Sequence, residues 1–248
     1  MKYLIVNADD FGISKGVNRG IIEAAELGIV TSTSLMVRQP GAANAAALAR
    51  ARKKLSVGLH LDLGEWVYRQ GEWVRLYSVV QVDDARQVEI EISHQLQQFQ
   101  RLMGRDPSHI DSHQHVHREE PIHSIVKALG ANLGVPVRDV GERIIYCGDF
   151  YGQTGEGESW PEGISVEGLK SILSRLTGKI TELGCHPGYD DGLQTAYRSE
   201  RAHEVKVLCD PEIRRTAAEL GFEFCSFDRL PREQRSAGQV SLDQDQPV

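Results

Sequence analysis

Short apolar segments alternate with segments of helical period along most of this chain, and that alternation constrains the fold more than any other feature. Residues 3–8 form an apolar segment of strand length, and after a polar turn the apolar residues recur at helical spacing up to Ala25. Ser14 precedes this periodic segment as an N-cap, and Gly28 follows it as a stop signal. Such alternation is typical of parallel βα units, in which helices pack on a sheet.

The same pattern continues to about residue 226 and predicts an α/β fold with mostly parallel strands. The predicted strands cover residues 3–8, 31–37, 56–61, 109–112, 135–140, 180–185 and 222–226. The predicted helices cover the segment between Ser14 and Gly28 and residues 42–53, 88–103, 121–133, 199–209 and 211–220. Residues 148–163 are rich in glycine and lack periodicity, so we predict a loop there that can cover a site.

The length of 248 residues is enough for one large domain or two small ones, and we predict one. Because residues 148–163 are interpreted as a loop rather than a linker, nothing divides residues 1–228 into separate units. After Asp228 the sequence turns polar and charged without apolar periodicity. We therefore predict a domain over residues 1–228 and a polar tail over residues 229–248.

Charge and cysteine usage indicate the class of partner and the compartment. The net charge is −7 and Lys and Arg are not clustered, which argues against nucleic acid or an anionic membrane as the main partner and favours a small neutral ligand. The apolar start of the chain is too short for a signal peptide, and no apolar run reaches membrane-spanning length. The four cysteines form no C-x-x-C pair. We therefore expect reduced cysteines and a cytoplasmic protein.

Residues able to do chemistry fall at the ends of several predicted strands. Asp9 and Asp10 end the first strand, His60 ends the third, His113 ends the fourth and His186 ends the sixth. In parallel α/β folds the carboxyl ends of the strands meet at one face, where these folds place their sites. The positions therefore predict a shared site, although an Asp-Asp turn, a half-buried histidine and a His-Pro-Gly turn would each explain one piece alone.

The segment from Asp111 to His117 carries three imidazoles within five positions, which favours metal binding. A hydrolytic metal site needs about three protein ligands and an open position for water. Asp10, His60 and His113 can supply the ligands, which leaves Asp9 as a base and His186 as an acid for the leaving group. A glycosidase would also use two carboxylates, about 5–9.5 Å apart, but would leave the three histidines without a role.

Several motifs together resemble the YdjC-like family, which includes chitooligosaccharide deacetylases, and the resemblance covers nearly the whole folded chain. They are IVNADDFG at residues 5–12, SKG at 14–16, GIVTSTS at 28–34, VGLH at 57–60, IDSHQHVH at 110–117 and CHPG at 185–188. The resemblance implies a single-domain distorted (β/α) barrel similar to polysaccharide deacetylases. It also implies removal of an acetyl group from an N-acetylated amino sugar or chitooligosaccharide, giving acetate and a free amine.

Carried over position by position, the resemblance implies Asp9 as the catalytic base, Asp10, His60 and His113 as metal ligands, and His186 as the general acid. Magnesium is the metal usually attached to the family, whereas two imidazoles and one carboxylate suit zinc, so both ions are retained. Related deacetylases form dimers, and a homodimer is expected by analogy alone. The expected partner is an N-acetylated sugar.

Some alternatives stay open on the sequence. His115 or His117 could replace His113, since the three imidazoles would share one face if residues 112–117 were extended. Another metal-dependent amidohydrolase or phosphoesterase would use the same residue types, and a sugar-binding protein without turnover is a third class. Arg138 and Asp139, at another predicted strand end, could orient a catalytic group. The aromatic residues that could stack on a sugar are Trp66, Tyr68, Tyr151 and Trp160.

Overall fold

A curled parallel sheet forms the centre of the protein in a computed structural model that describes residues 2–69, 71–193, 195 and 197–230. Its strands are β1 (Lys2–Phe11), β2 (Ser32–Leu35), β3 (Ser56–Leu61), β6 (Ile110–Ser112), β7 (Ile145–Cys147), β8 (Ile180–Cys185) and β9 (Phe222–Phe224). The sheet runs in the order β6-β3-β2-β1-β8-β7, and β9 pairs with the first part of β1. A separate antiparallel hairpin consists of β4 (Gly64–Arg69) and β5 (Glu72–Ser78).

Helices pack on this sheet and connect its strands in the manner of βα units. They are α1 (Lys15–Glu26), α2 (Ala42–Arg50), α3 (Ala85–Met103), α4 (Ile122–Leu133), α5 (Val166–Arg175), α6 (Glu200–Leu208) and α7 (Pro211–Glu219). The hydroxyl of Ser14 accepts a hydrogen bond from the backbone of Val17, which confirms the predicted N-cap of α1. None of the described helices combines the length and the apolar character needed to cross a bilayer.

One continuous apolar core joins the sheet to its helices. Leu4, Val6 and Ala8 of β1 are fully buried, and they belong to the same cluster as Val17 and Ile21 of α1. All strand pairings in the main sheet are parallel. The prediction of a single-domain α/β fold with mostly parallel strands, a distorted (β/α) barrel, is therefore confirmed. The predicted tail extends beyond the described residues from residue 231 onward.

The predicted strand over residues 135–140 is wrong. The segment makes a single parallel bridge, between Val137 and Ile110. The backbone N–H of Ile110 donates to the carbonyl of Pro136, and the carbonyl of Ile110 accepts from the N–H of Arg138. Asp139 then adopts a left-handed backbone conformation (φ 58°), which turns the chain away from the sheet after that one bridge. A strand that the sequence analysis did not predict, β7, pairs with β8 at the edge of the sheet.

Two further elements were not predicted, the β4–β5 hairpin and helix α5. Most of β5 is exposed, and only Glu65 and Val67 among the non-glycine residues described on β4 are buried, so the hairpin lacks the regular apolar pattern of a core strand. The predicted loop over residues 148–163 holds only an isolated bridge between Gln153 and Ser159 before a short 3-10 turn begins at Pro161. These differences lie around the sheet and leave the strand ends that carry the site unchanged.

Candidate active site

A local irregularity at the end of β1 turns two adjacent aspartates into the same cleft. Side chains of neighbouring residues on a regular strand point to opposite faces. Asp10, however, has a left-handed backbone conformation (φ 65°), and the pairing of β1 with β2 shifts register between Ala8 and Phe11. The chain therefore begins to curl at Asp10 itself. Asp9 and Asp10 both line the cleft.

Asp10, His60 and His113 converge on one point although they come from three different strand ends. The Oδ1 atom of Asp10 lies 3.4 Å from Nε2 of His60 and 3.0 Å from Nδ1 of His113. One ligand atom from each of the three residues lies within 4.8 Å of the others, and all three residues are buried. Three ligand atoms at these separations can surround a single metal ion.

Buried partners hold two of these residues from behind. Arg201 lies 2.6 Å from Oδ2 of Asp10, so that oxygen is occupied and Oδ1 faces the centre. Asp111 lies 2.8 Å from Nδ1 of His60, which leaves Nε2 of the same ring facing Asp10. Metal-binding histidines commonly hydrogen-bond a carboxylate through their other ring nitrogen.

Electrostatics at this point favour positive charge. Burial opposes ionisation of Asp10, but Arg201 and His113 outweigh it and hold the pKa of Asp10 well below its usual value. Burial likewise disfavours charge on the histidines, yet Asp111 raises the pKa of His60 to about 10 and Asp10 raises that of His113 to about 9. The negative surroundings that raise the pKa of both rings would equally favour a divalent cation, so the donor set fits such an ion.

Asp9 lies in a different environment from Asp10. Both of its carboxylate oxygens accept hydrogen bonds from Arg138, at 2.7 and 2.8 Å, and Oδ1 also accepts one from Asn7. Burial would raise the pKa of Asp9, but the Arg138 guanidinium lowers it below the ordinary value. Asp9 is therefore an oriented carboxylate anion that can accept a proton.

Arg138 is surrounded by three buried carboxylates. Besides Asp9, its guanidinium lies 2.6 Å from Glu182 and 2.9 Å from Asp111. One guanidinium cannot balance three anions, and burial together with Asp111 and Asp9 raises the pKa of Glu182 to about 7. Glu182 thus carries a proton over much of the acidic range.

His186 follows β8 and faces Asp9 across the cleft, with Nε2 of the ring 3.9 Å from Oδ2 of Asp9. Its backbone N–H donates to Glu204 at 2.5 Å, and its carbonyl accepts a hydrogen bond from Arg201 at 3.2 Å. Burial lowers the pKa of His186 to about 4. Its Nδ1 atom is buried without a hydrogen-bond partner among the described residues.

The other two histidines of the dense motif lie elsewhere. Residues 113–118 form a 3-10 segment in which Gln114 and His115 have φ values of 52° and 55°, so the three imidazoles do not share an extended face. His117 uses both ring nitrogens, toward the Ser112 hydroxyl at 2.6 Å and the Arg138 carbonyl at 3.1 Å. His115 lines the cleft and lies 3.4 Å from the Tyr146 hydroxyl. Ligand atoms of His115, His117 and Asp139 lie within 4.8 Å of one another, whereas the group that contains Asp10 consists of Asp10, His60 and His113.

The cleft has a volume of about 260 Å³ and brings all five candidate residues together. Tyr151, one of the four aromatic residues considered for sugar stacking, lines the cleft; Trp66, Tyr68 and Trp160 are not among its described lining residues. Lining residues that sequence analysis missed are Glu65, Gln114, Tyr146, Thr195, Tyr197 and Arg201.

Some of these missed contacts had a signal in the sequence. Asp111 opens the dense histidine motif, and Arg138 was noted without a specific partner. Arg201 and Glu204 are three residues apart on α6, and both are buried. The rest of α6 is so polar that the sequence does not show which face of the helix is buried. Glu65 lies on the hairpin that was not predicted.

Comparison with known proteins extends the resemblance over the chain. The family model described as YdjC-like protein matches residues 3–219. A carbohydrate deacetylase of Geobacillus stearothermophilus is 34% identical over 247 residues, which cover 91% of this chain and 97% of that protein. A chitooligosaccharide deacetylase of Serratia marcescens is 34% identical over 259 residues, covering 92% and 99% respectively.

Solved structures match the fold in the same way. A protein of Enterococcus faecalis named for cellobiose-phosphate cleavage has a TM-score of 0.76 at 26% identity, covering 93% of this chain and 99% of that one. A family 4 carbohydrate esterase from Streptomyces lividans, solved with acetate, has a TM-score of 0.53 at 16% identity over 91% of each chain. Because the family model spans most of the sequence, this chain belongs to the YdjC-like protein family.

Proposed function

We propose that this chain is a metal-dependent carbohydrate deacetylase that removes the acetyl group from an N-acetylated amino sugar or chitooligosaccharide. The observation that carries the proposal is that two adjacent carboxylates in one cleft have different partners. Asp10 faces two imidazoles, whereas Asp9 is held by Arg138 and faces His186. Relatives similar along nearly the whole chain are named carbohydrate and chitooligosaccharide deacetylases.

Asp10, His60 and His113 would hold the ion. A bound divalent ion supplies Lewis-acid chemistry, since it lowers the pKa of a water molecule and stabilises negative charge on the acetyl oxygen. Two imidazoles with one carboxylate favour zinc or a similar transition ion, although magnesium is retained as the alternative. A family 4 acetyl xylan esterase of similar fold was solved with cobalt, which is an ion of that transition class.

Asp9 would act as the base. Its carboxylate is ionised and its orientation is fixed by the two hydrogen bonds from Arg138, so it can accept the proton of the attacking water. The hydrogen bonds lower the basicity of the Asp9 carboxylate, but they keep it in one orientation. This favours transfer of the proton from water to a carboxylate in a defined position.

His186 would deliver a proton to the departing amine, because a sugar amine is a poor leaving group until it is protonated. With a pKa of about 4 the ring is neutral near pH 7, so it gains its proton during the reaction. The Asp9 carboxylate, 3.9 Å from Nε2, is placed to pass on the proton that it takes from water. The products would be acetate and a free amino sugar.

Acetate release from N-acetylated chitooligosaccharides tests this function. The purified protein, supplied with zinc or magnesium, should release acetate and generate a free amine in equal amounts. A cyclic amide and a phosphate monoester, assayed in parallel, represent the amidohydrolase and phosphoesterase alternatives. Hydrolysis of either of these without acetate release from the sugars would contradict the proposal.

A further inference from the structure

One of the three proposed metal ligands has a buried ring nitrogen that lacks a hydrogen bond. His113 directs Nδ1 toward Asp10, at 3.0 Å, while its Nε2 atom has no hydrogen-bond partner among the described residues. Leaving a buried imidazole nitrogen unpaired costs free energy. By contrast, His60 is paired through its far nitrogen with Asp111.

The carboxylate of Glu65 is a candidate acceptor for a hydrogen bond from this nitrogen. Its Oε2 atom lies 3.8 Å from Nε2 of His113, about 1 Å beyond hydrogen-bond length. The side chain is buried, and its other oxygen accepts a hydrogen bond of 2.8 Å from the Thr195 hydroxyl. Glu65 is therefore held at the cleft wall with one oxygen facing His113.

Neighbouring contacts keep these two residues beside each other. The side-chain amide of Gln114, next to His113, accepts from the backbone N–H of Trp66 at 2.8 Å and donates to its carbonyl at 2.7 Å. Trp66 follows Glu65, and the pairing of β4 with β5 shifts register between them. Such bulges redirect side chains next to functional sites. The hairpin is thus fastened at the position from which Glu65 can reach His113.

We propose that Glu65 is a positioning residue of the metal site, whose carboxylate accepts a hydrogen bond from Nε2 of His113 and fixes Nδ1 as the ligand atom. This inference rests on the proposed function, because it assumes an ion at Asp10, His60 and His113. The two rings then present different nitrogens, Nε2 from His60 and Nδ1 from His113. Each has a carboxylate behind it, Asp111 in one case and Glu65 in the other.

Zinc affinity of the metal-free protein tests the proposal without any assay of turnover. A competition titration against a chromophoric chelator compares the wild type with Glu65→Gln and with Glu72→Gln, a matched change at an exposed position of the same hairpin. Glu65→Gln keeps the side-chain size but weakens the acceptor, so zinc affinity should fall by about 10–100-fold. Glu72→Gln should bind zinc like the wild type. Equal affinities for all three proteins would overturn the inference.

The protonation of His113 gives a second measurement, which does not depend on the variant folding. In zinc-loaded wild type labelled with ¹⁵N-histidine, long-range proton–nitrogen correlations should show the His113 proton on Nε2 and zinc on Nδ1. The opposite pattern would overturn the inference. A wild type that binds zinc with this pattern but releases no acetate from N-acetylated sugars would contradict the proposed function and leave the role of Glu65 intact.

Discussion

Both carboxylate oxygens of Asp9 accept hydrogen bonds from the guanidinium of Arg138. The adjacent Asp10 has only one oxygen held by an arginine, Arg201, while its other oxygen faces His60 and His113. Two neighbouring aspartates thus differ in what remains available to a ligand. This difference supports the proposal that Asp9 accepts a proton and Asp10 binds the metal, and it is open to direct test.

Asp9→Asn and Asp10→Asn should fail in different ways. The first removes a proton acceptor and should lower turnover by about 10²–10⁴-fold with metal content unchanged. The second removes the anionic ligand and should lose metal as well as turnover. Elemental analysis and acetate release, measured on the same preparations, distinguish the two. Equal metal content in both variants would refute the separate roles.

Arg138→Met should destabilise the protein strongly, because it leaves Asp9, Asp111 and Glu182 buried without their cation. Breaking a buried ion pair by removing one partner costs about 3–5 kcal/mol. Arg118→Met is the matched control, since Arg118 pairs with Asp139 at the exposed surface, where such pairs contribute about 0–1 kcal/mol. Urea denaturation at pH 7 measures both changes, and similar losses in the two variants would contradict this account.

Glu182 should make the stability of the wild type depend on pH. Its pKa is about 7 in the folded protein against an ordinary value of 4.5, so the folded state binds an additional proton between these pH values. Stability therefore falls as the pH rises through this window, by roughly 3 kcal/mol for this group. Glu182→Gln should lack that fall, whereas Glu72→Gln on the exposed hairpin should follow the wild type. Parallel stability curves for wild type and Glu182→Gln would show that Glu182 does not hold the proton.

The sheet and the strand-end residues could be predicted because they depend on local patterns. Residues 56–61 and 180–185 are apolar segments of strand length, and both strands have the predicted bounds. The three valines within residues 135–140 suggest a strand in the same way, but the segment makes one bridge before Asp139 adopts a left-handed conformation. The apolar pattern of the sequence does not indicate this backbone angle, and the hydrogen bonds that the Asp139 side chain accepts come from Arg118, 21 positions earlier.

The buried partners of the site could not be predicted for a related reason. Arg201 is 191 positions from Asp10, and Arg138 is 129 positions from Asp9. Hydrophobic periodicity identifies the faces of helices and strands, but it does not identify which buried arginine meets which carboxylate. The ligand candidates were found because strand ends converge, whereas the arginines that pair with Asp10 and Asp9 come from a helix and from the bridge segment.

The metal-loaded protein should hold about one divalent ion per chain, because the three ligand atoms meet only in the folded state. Removing the ion with a chelator should abolish acetate release, and adding zinc should restore it. His113→Ala should lose the ion, whereas His94→Ala, at an exposed position of α3, should keep it. Full activity in a protein shown by elemental analysis to contain no metal would contradict the mechanism.

The importance of His186 should depend on the leaving group, since its proposed task is to protonate that group rather than to bind metal or activate water. His186→Ala should slow release of acetate from an N-acetyl sugar by about 10²–10⁴-fold with metal content unchanged. An aryl acetate releases a phenolate that needs little protonation, so its hydrolysis should fall much less, because Asp9 and the ligands Asp10, His60 and His113 remain. His203→Ala, a change outside the cleft on the same chain, should leave both rates unaffected. If His186→Ala slows the amide and the aryl ester equally, or removes the metal, His186 is not the acid, and its position 3.9 Å from Asp9 serves another purpose.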